Sequence, residues 1–155
     1  FSIEMLHTPG HTLTHVAYRI GHAWFVGDTL FGAGCGRLFE GTPAQLHQSL
    51  QRIIDCAEST LLYFGHEYTE TNLRFAREVE PDNSSVVERL TELAERRAAG
   101  GWSSPSTVGL EKQTNPFLRI DQPQVIDFAR RQTGRQELDA IEVFAAVRAA
   151  RNSFS

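Results

Sequence analysis

The chain has 155 residues, 41% hydrophobic and 22% charged, which is an ordinary balance for a globular protein of one domain or two small ones. Its net charge of −4 argues against general affinity for nucleic acid, and no apolar run approaches the ~20 residues that span a bilayer. No secretory signal is visible, and the two cysteines, Cys35 and Cys56, lie outside any CxxC and are too few for a disulfide framework, so a reduced, cytoplasmic protein is expected.

The chain opens at Phe1, not Met, on the apolar stretch FSIEML, which reads as a cut into something longer. IEMLH (3–7) is a short apolar run that breaks at Pro9-Gly10. HVAYRI (15–20) and AWFVG (23–27) flank Gly21-His22, the pattern of a β-hairpin. A Gly-rich loop follows, FGAGCGRLFEG (31–41). Thr42-Pro43 has the chemistry of a helix start, and Leu46, Leu50, Ile53 and Ile54 carry helical spacing to about Cys56. TLLYFG (60–65) is a compact strand with His66 at its carboxyl end.

Beyond that point the pattern turns helical. TNLRFAREVE (71–80) is one helix, and SSVVERLTELAERRAA (84–99) is a second, capped by Asn83, with Val86, Leu90 and Leu93 on one face. GGWSSPSTVG (100–109) has the composition of a flexible loop. NPFLR (115–119) leads to Asp121 as the cap of QPQVIDFARRQT (122–133), and Glu137 to Arg151 forms the last helix. There is no internal repeat. The expected fold class is α/β over residues 1–68, followed by an all-helical domain over 69–155.

Three loops hold strong metal ligands: TPGHT (8–12) with His11, GDTLF (27–31) with Asp28, and GHEYT (65–69) with His66. Each follows an apolar strand, and functional side chains of α/β folds gather at the carboxyl ends of strands. Imidazole and carboxylate suit zinc, iron or manganese, and a carboxylate can bridge two ions. Taken singly, each residue is as readily a turn former or a surface hydrogen-bonding group. There is no G-x-S-x-G for a serine nucleophile. A cysteine nucleophile at Cys35 in GAGCGR stays open, although no histidine is paired with it by sequence. Arg130, Arg131, Arg135, Arg148 and Arg151 cluster late, in a chain whose only lysine is Lys112. They form either a solvated helix face or a local anion site.

TPGHT, GDTLF with AGCGRLFEGT, and GHEYT with NLRFA together resemble glyoxalase II, the hydroxyacylglutathione hydrolases of the metallo-β-lactamase superfamily. NPFLR and the ending VRAARNSF resemble that family's helical carboxyl-terminal domain. The resemblance covers essentially the whole chain. It implies part of an αββα sandwich and a helical glutathione-binding domain. It also implies two divalent metal ions, zinc first and iron or manganese otherwise, and hydrolysis of S-D-lactoylglutathione to glutathione and D-lactate in methylglyoxal detoxification. By the resemblance His11 is a ligand of one metal, His66 of the other, and Asp28 bridges both. Hydroxide on the metals would attack the thiolester carbonyl. Arg37, Tyr68, Arg148 and Arg151 match residues that hold glutathione; Arg148 and Arg151, three apart, share a helix face. Phe39 stands where some members have a tyrosine, and Thr14 replaces a common glycine. His15 is expected to support or pack rather than ligate, and His7, His22 and His47 to be structural. The expected partner is a small glutathione thiolester, with no nucleic acid, no membrane and a monomeric state.

The family's T-H-x-H-x-D-H motif, which supplies four further ligands, is not found in these 155 residues, which contain neither H-x-H nor D-H. The chain therefore reads as the carboxyl-terminal portion of such an enzyme, inactive or nearly so by itself. Two alternatives stand beside it: a non-catalytic glutathione-binding module, and a superfamily paralogue acting on another thiolester or a persulfide.

Overall fold

A computed structural model describes residues 2–154. Phe1, in the apolar opening, lies outside them. The described residues form seven strands: β1 (Ile3–His7), β2 (Val16–Ile20), β3 (Ala23–Gly27), β4 (Leu30–Phe31), β5 (Gly34–Cys35), β6 (Leu61–Phe64) and β7 (Ser106–Thr107). Six α-helices accompany them: α1 (Pro43–Ile54), α2 (Thr69–Val79), α3 (Ser84–Ala98), α4 (Val108–Thr114), α5 (Pro123–Thr133) and α6 (Ala140–Ser153). This is the expected α/β region followed by a helical one.

The main sheet has the order β1-β2-β3-β6-β7. β2 and β3 form the antiparallel hairpin, and β6 runs parallel to β3. A parallel neighbour requires a crossover, which α1 supplies. Thr42 and Gln45 close a capping box at its start, a device that contributes about 1 kcal/mol. α1 buries Leu46, Leu50, Ile53 and Ile54, the residues at helical spacing.

Alternation decides which face of the sheet is buried. Ala17, Trp24, Val26 and Leu62 point into a hydrophobic cluster that also takes Phe75, Phe117, Phe128, Phe144 and Val147 from the helical region. On the other face Met5 lies opposite Tyr18, Tyr18 opposite Phe25, and Phe25 opposite Tyr63. Met5, Tyr18 and Phe25 are exposed, and the Phe25 and Tyr63 rings stack at 5.0 Å.

Four local expectations are corrected. Residues 100–109 are not all loop: Ser106–Thr107 pair with Leu62 and Leu61 as the edge strand β7, and α4 begins at Val108 with Thr107 accepting from the Leu110 N–H. Composition cannot show a strand whose partner lies some 45 residues earlier. Asn83 sits at the cap of α3, but its amide donates to the Gln113 carbonyl instead of capping. The cap of α5 is Gln122, ahead of Pro123, and Asp121 accepts from the Gln122 side chain. The last helix starts at Ala140 because Asp139 and Glu142 form a capping box there.

Candidate active site

The three ligand-bearing loops meet. The His11 and His66 Nε2 atoms lie 3.5 and 3.3 Å from the same Asp28 Oδ2. These separations are long for hydrogen bonds. They match two donor atoms sharing a metal: ligands at about 2.0–2.1 Å in tetrahedral geometry stand roughly 3.3 Å apart. Among the described residues no group of three or more His, Cys, Asp or Glu surrounds one common point. The donor set offers two imidazoles and one carboxylate, which suits divalent ions by its chemistry but completes no shell by itself.

Backbone packing holds the carboxylate. A Cβ on Gly65 would lie 2.5 Å from Asp28 Oδ1, and one on Gly36 would lie 2.1 Å from the Asp28 carbonyl oxygen. Neither contact is physically tolerable, so glycine at both positions lets the loops close on Asp28. The Asp28 N–H donates to His15 Nε2 at 3.2 Å. That leaves His15 Nδ1 as the protonated nitrogen, 2.9 Å from the Thr8 and Thr29 hydroxyls. Burial, and then His11, lower the His15 pKa against an opposing effect of Asp28. His15 thus holds the Asp28 backbone from behind, with its Nδ1 against the two threonine hydroxyls.

His11 Nδ1 donates to the Arg37 carbonyl at 2.9 Å, which leaves Nε2 facing Asp28. His66 stacks on Tyr68 at 4.9 Å, with Phe31 edge-on to both rings. Glu67, between them, accepts from the Ser103 N–H and hydroxyl, both at 2.9 Å, and pins this turn. The exposed Phe39 lies 4.9 Å from the His11 ring.

Across the cavity stand arginines. Arg37, Arg148 and Arg151 line the same space of about 470 Å³ as His11, Asp28, His66 and Tyr68. Among the described residues none of the three has a carboxylate within ion-pair distance. Burial, followed by the charges of Arg148 and Arg37, lowers the Arg151 pKa. Arg151 Nε donates to Asn72 Oδ1 at 3.0 Å. Arg148 is 5% exposed and donates to the Cys35 carbonyl (2.7 Å) and to Asn152 Oδ1 (3.1 Å), while its Nε is buried without a partner. Three cations close together without counter-charge form an anion site.

The late arginine cluster therefore divides. Arg130 pairs with Asp127 and Arg135 with Glu142 on the surface, and Arg131 lies exposed beside the Phe128 ring. Only Arg148 and Arg151 reach the cavity. The cysteine nucleophile is overturned: Cys35 is buried, and burial pushes its thiol pKa up, with Arg148 opposing only in part. A protonated thiol is a poor nucleophile. His7 bonds the Leu13 carbonyl, and His47 packs against Phe144. Phe31, Glu67 and Asn72 escaped sequence reasoning. Phe31 closes GDTLF, Glu67 lies in GHEYT and Asn72 opens NLRFA, so the motifs contained them without showing what they touch.

A family model described as Hydroxyacylglutathione hydrolase C-terminus matches residues 67–154. The hydroxyacylglutathione hydrolase of Nitrosomonas europaea is 45% identical over 152 residues, covering 98% of this chain and 58% of that protein. Those of Pseudomonas savastanoi pv. phaseolicola and Pseudomonas aeruginosa are 49% and 48% identical, covering 94% and 97% of this chain and 58% and 60% of those proteins. The chain thus spans somewhat more than half the length of these relatives. ETHE1 from Myxococcus xanthus superposes with a TM-score of 0.50 at 24% identity, over 96% of this chain and 52% of that one. A metallo-beta-lactamase from Staphylococcus aureus superposes with a TM-score of 0.51 at 21% identity, over 96% and 38%. Those two likenesses bear on the fold alone and place it with the metallo-β-lactamases. On the family match and these relatives, the chain belongs to the hydroxyacylglutathione hydrolase family.

Proposed function

We propose that the whole protein is a thiolester hydrolase that cleaves S-D-lactoylglutathione to glutathione and D-lactate in methylglyoxal detoxification. This chain would contribute three metal ligands and the glutathione cradle. The observation that carries the reading is one cavity shared by two imidazoles, the carboxylate between them and three uncompensated arginines. Residues 1–68 bring the ligands, and residues 69–155 are the substrate-binding domain.

His11 would hold one divalent ion, His66 a second, and Asp28 would contribute to both; zinc is foremost, with iron or manganese alternatives. Bound there, such ions supply hydroxide at neutral pH and polarise a carbonyl. The Arg37 carbonyl holds His11 with Nε2 free, and His15 holds the Asp28 backbone. Glutathione carries two carboxylates. Arg37 and Arg151 reach them with paired N–H donors, and Arg148 adds charge from the cavity floor. The Tyr68 hydroxyl contacts the tripeptide from the His66 side. With Arg151 tied to Asn72 and Arg148 to Cys35, the cradle is set before the substrate arrives, which limits the ordering cost of binding.

A cytoplasmic location accords with free Cys35 and Cys56. Among the described residues no helix is long and apolar enough to cross a membrane.

The deciding experiment has two parts. Hydrolysis of S-D-lactoylglutathione is assayed with the purified chain and added zinc. The expected result is no turnover, since the four ligands of T-H-x-H-x-D-H are missing from it. Clear turnover that Asp28→Ala abolishes would mean that three ligands suffice or that a second chain supplies the rest. Glutathione binding is then measured by calorimetry without metal. Binding that Arg151→Ala removes supports the cradle; no binding removes it. A second reading, a non-catalytic glutathione-binding module, is favoured by the cradle lying wholly within this chain. It gains if metal-independent binding persists and turnover is absent even when a complementary amino-terminal portion is added.

A further inference from the structure

We propose that Glu111, on α4, is a positioning residue for the site: it sets the backbone of residues 32–35 and, through that loop, the orientation and tautomer of His11. The inference rests on the reading of His11 as a metal ligand.

Four successive loop residues are each held by a side chain from beyond residue 68. Asn72 Nδ2 donates to the Gly32 carbonyl at 3.0 Å, and the Ala33 N–H donates to Glu111 Oε2 at 2.8 Å. Asn115 Nδ2 donates to the Gly34 carbonyl at 3.0 Å, and Arg148 to the Cys35 carbonyl at 2.7 Å. Glu111 is the only carboxylate of the four. Ala33 has φ +53°, a left-handed backbone that a non-glycine residue keeps only where its surroundings enforce it. The bond from its N–H to Glu111 is that enforcement.

Glu111 is fully buried, and its oxygens accept four donors. Oε1 takes Arg89 and the Ser106 hydroxyl, both at 2.6 Å; Oε2 takes Ala33 and Asn115 Nδ2, the latter at 2.9 Å. This fills the acceptor capacity of an ionised carboxylate. A glutamine would leave at least one of these donors facing another donor.

The path to His11 is short. Beyond Cys35 the Gly36 N–H donates to the Thr29 carbonyl, and the Arg37 carbonyl accepts from His11 Nδ1. A carbonyl can only accept, so the proton sits on Nδ1, and in the neutral ring Nε2 is bare toward Asp28. Such orienting carbonyls fix the tautomer that a metal requires. If Glu111 served only to anchor α4 to α3 through Arg89, a folded variant would leave the His11 ring unchanged.

The test is Glu111→Gln, read by imidazole ¹⁵N spectra of the metal-free chain at pH 8 and by zinc titration of the same spectra. In the unsubstituted chain His11 is expected in a single Nδ1–H form. In the variant, still cooperatively folded, His11 is expected as a tautomer mixture, and the zinc concentration that shifts its signals rises about tenfold. A folded variant with unchanged His11 signals overturns the proposal, whatever zinc does. If Glu111→Gln alters the His11 tautomer but zinc shifts His11 in neither chain, the positioning role stands and the three ligands of this chain do not hold zinc without the rest of the shell. If Glu111→Gln does not fold, native-state hydrogen exchange on the unsubstituted chain decides. Opening of the Ala33, Gly36 and Phe39 amides together with those of α4 supports the coupling, and independent opening overturns it.

Discussion

The sheet edge that carries His11, Asp28 and His66 and the helix that carries Arg148 and Arg151 face one cavity but are held there by different means. The edge is built from contacts between neighbouring loops: Gly36 and Gly65 let backbone close on Asp28, and His15 bonds its amide. The helix side depends on partners far along the chain, such as Arg148 on the Cys35 carbonyl, 113 residues away. The edge gathers two imidazoles and a carboxylate, and the helix gathers arginines that, among the described residues, are without a carboxylate in ion-pair reach. Each half is electrostatically incomplete, which is how a binding site differs from a folded core.

The largest effect should come from unpairing Glu111, the buried carboxylate of the helical region that also holds the Ala33 N–H. Arg89→Ala leaves the fully buried Glu111 without its cation, and removing one partner of such a pair costs about 3–5 kcal/mol. Urea unfolding should show the midpoint fall accordingly. Conserved stability would mean that the Ala33, Asn115 and Ser106 donors hold Glu111 without Arg89. Next comes the edge. Gly65→Ala forces a Cβ against Asp28 Oδ1 and should cost about 1–3 kcal/mol, with the His66 ring displaced from its stacking on Tyr68. Unchanged ring-current shifts for His66 and Tyr68 would show that the loop yields without disturbing the site.

The cation side should respond in the opposite direction. Arg151→Met removes a like charge beside Arg148 and Arg37 and should raise the stability of the ligand-free chain by about 0.5 kcal/mol while abolishing glutathione binding. A loss of stability would mean that the Asn72 bond outweighs the repulsion. The smallest effect concerns the seam between α1 and α6, where His47 packs on Phe144. Burial lowers its pKa below the ordinary 6.5, so folding favours the neutral ring. That contribution is complete above pH 6.5 and is lost as pH falls toward the depressed folded value. Unfolding measured from pH 7.5 to 5 should show stability falling on the acid side, with a shallower slope in His47→Gln.

Much of this molecule is legible in its sequence because local chemistry wrote it. Thr42-Pro43 starts α1, Gly21-His22 turns the hairpin, and each ligand follows an apolar run. The expectations that failed share a different cause. Asn83 sits at the cap position, yet its side chain turns to donate to the Gln113 carbonyl on α4 and its oxygen caps no N–H. Ser106–Thr107 look like loop until β6 offers its edge. Cys35, left open as a nucleophile in its Gly-rich loop, is discounted once burial pushes its thiol pKa up.

The sequence by itself determined the identities of His11, Asp28 and His66, their loops, the helical periodicity of the second region, and the spacing that puts Arg148 and Arg151 on one face. Tertiary structure alone decided that these residues share one cavity, that Arg130 and Arg135 pair off on the surface, and that Glu111 reaches Ala33 across 78 residues. Turn chemistry and side-chain periodicity act over a few residues. Burial, ion pairing and the partner of a loop carbonyl depend on which distant segments pack together, and no short stretch of sequence contains that information.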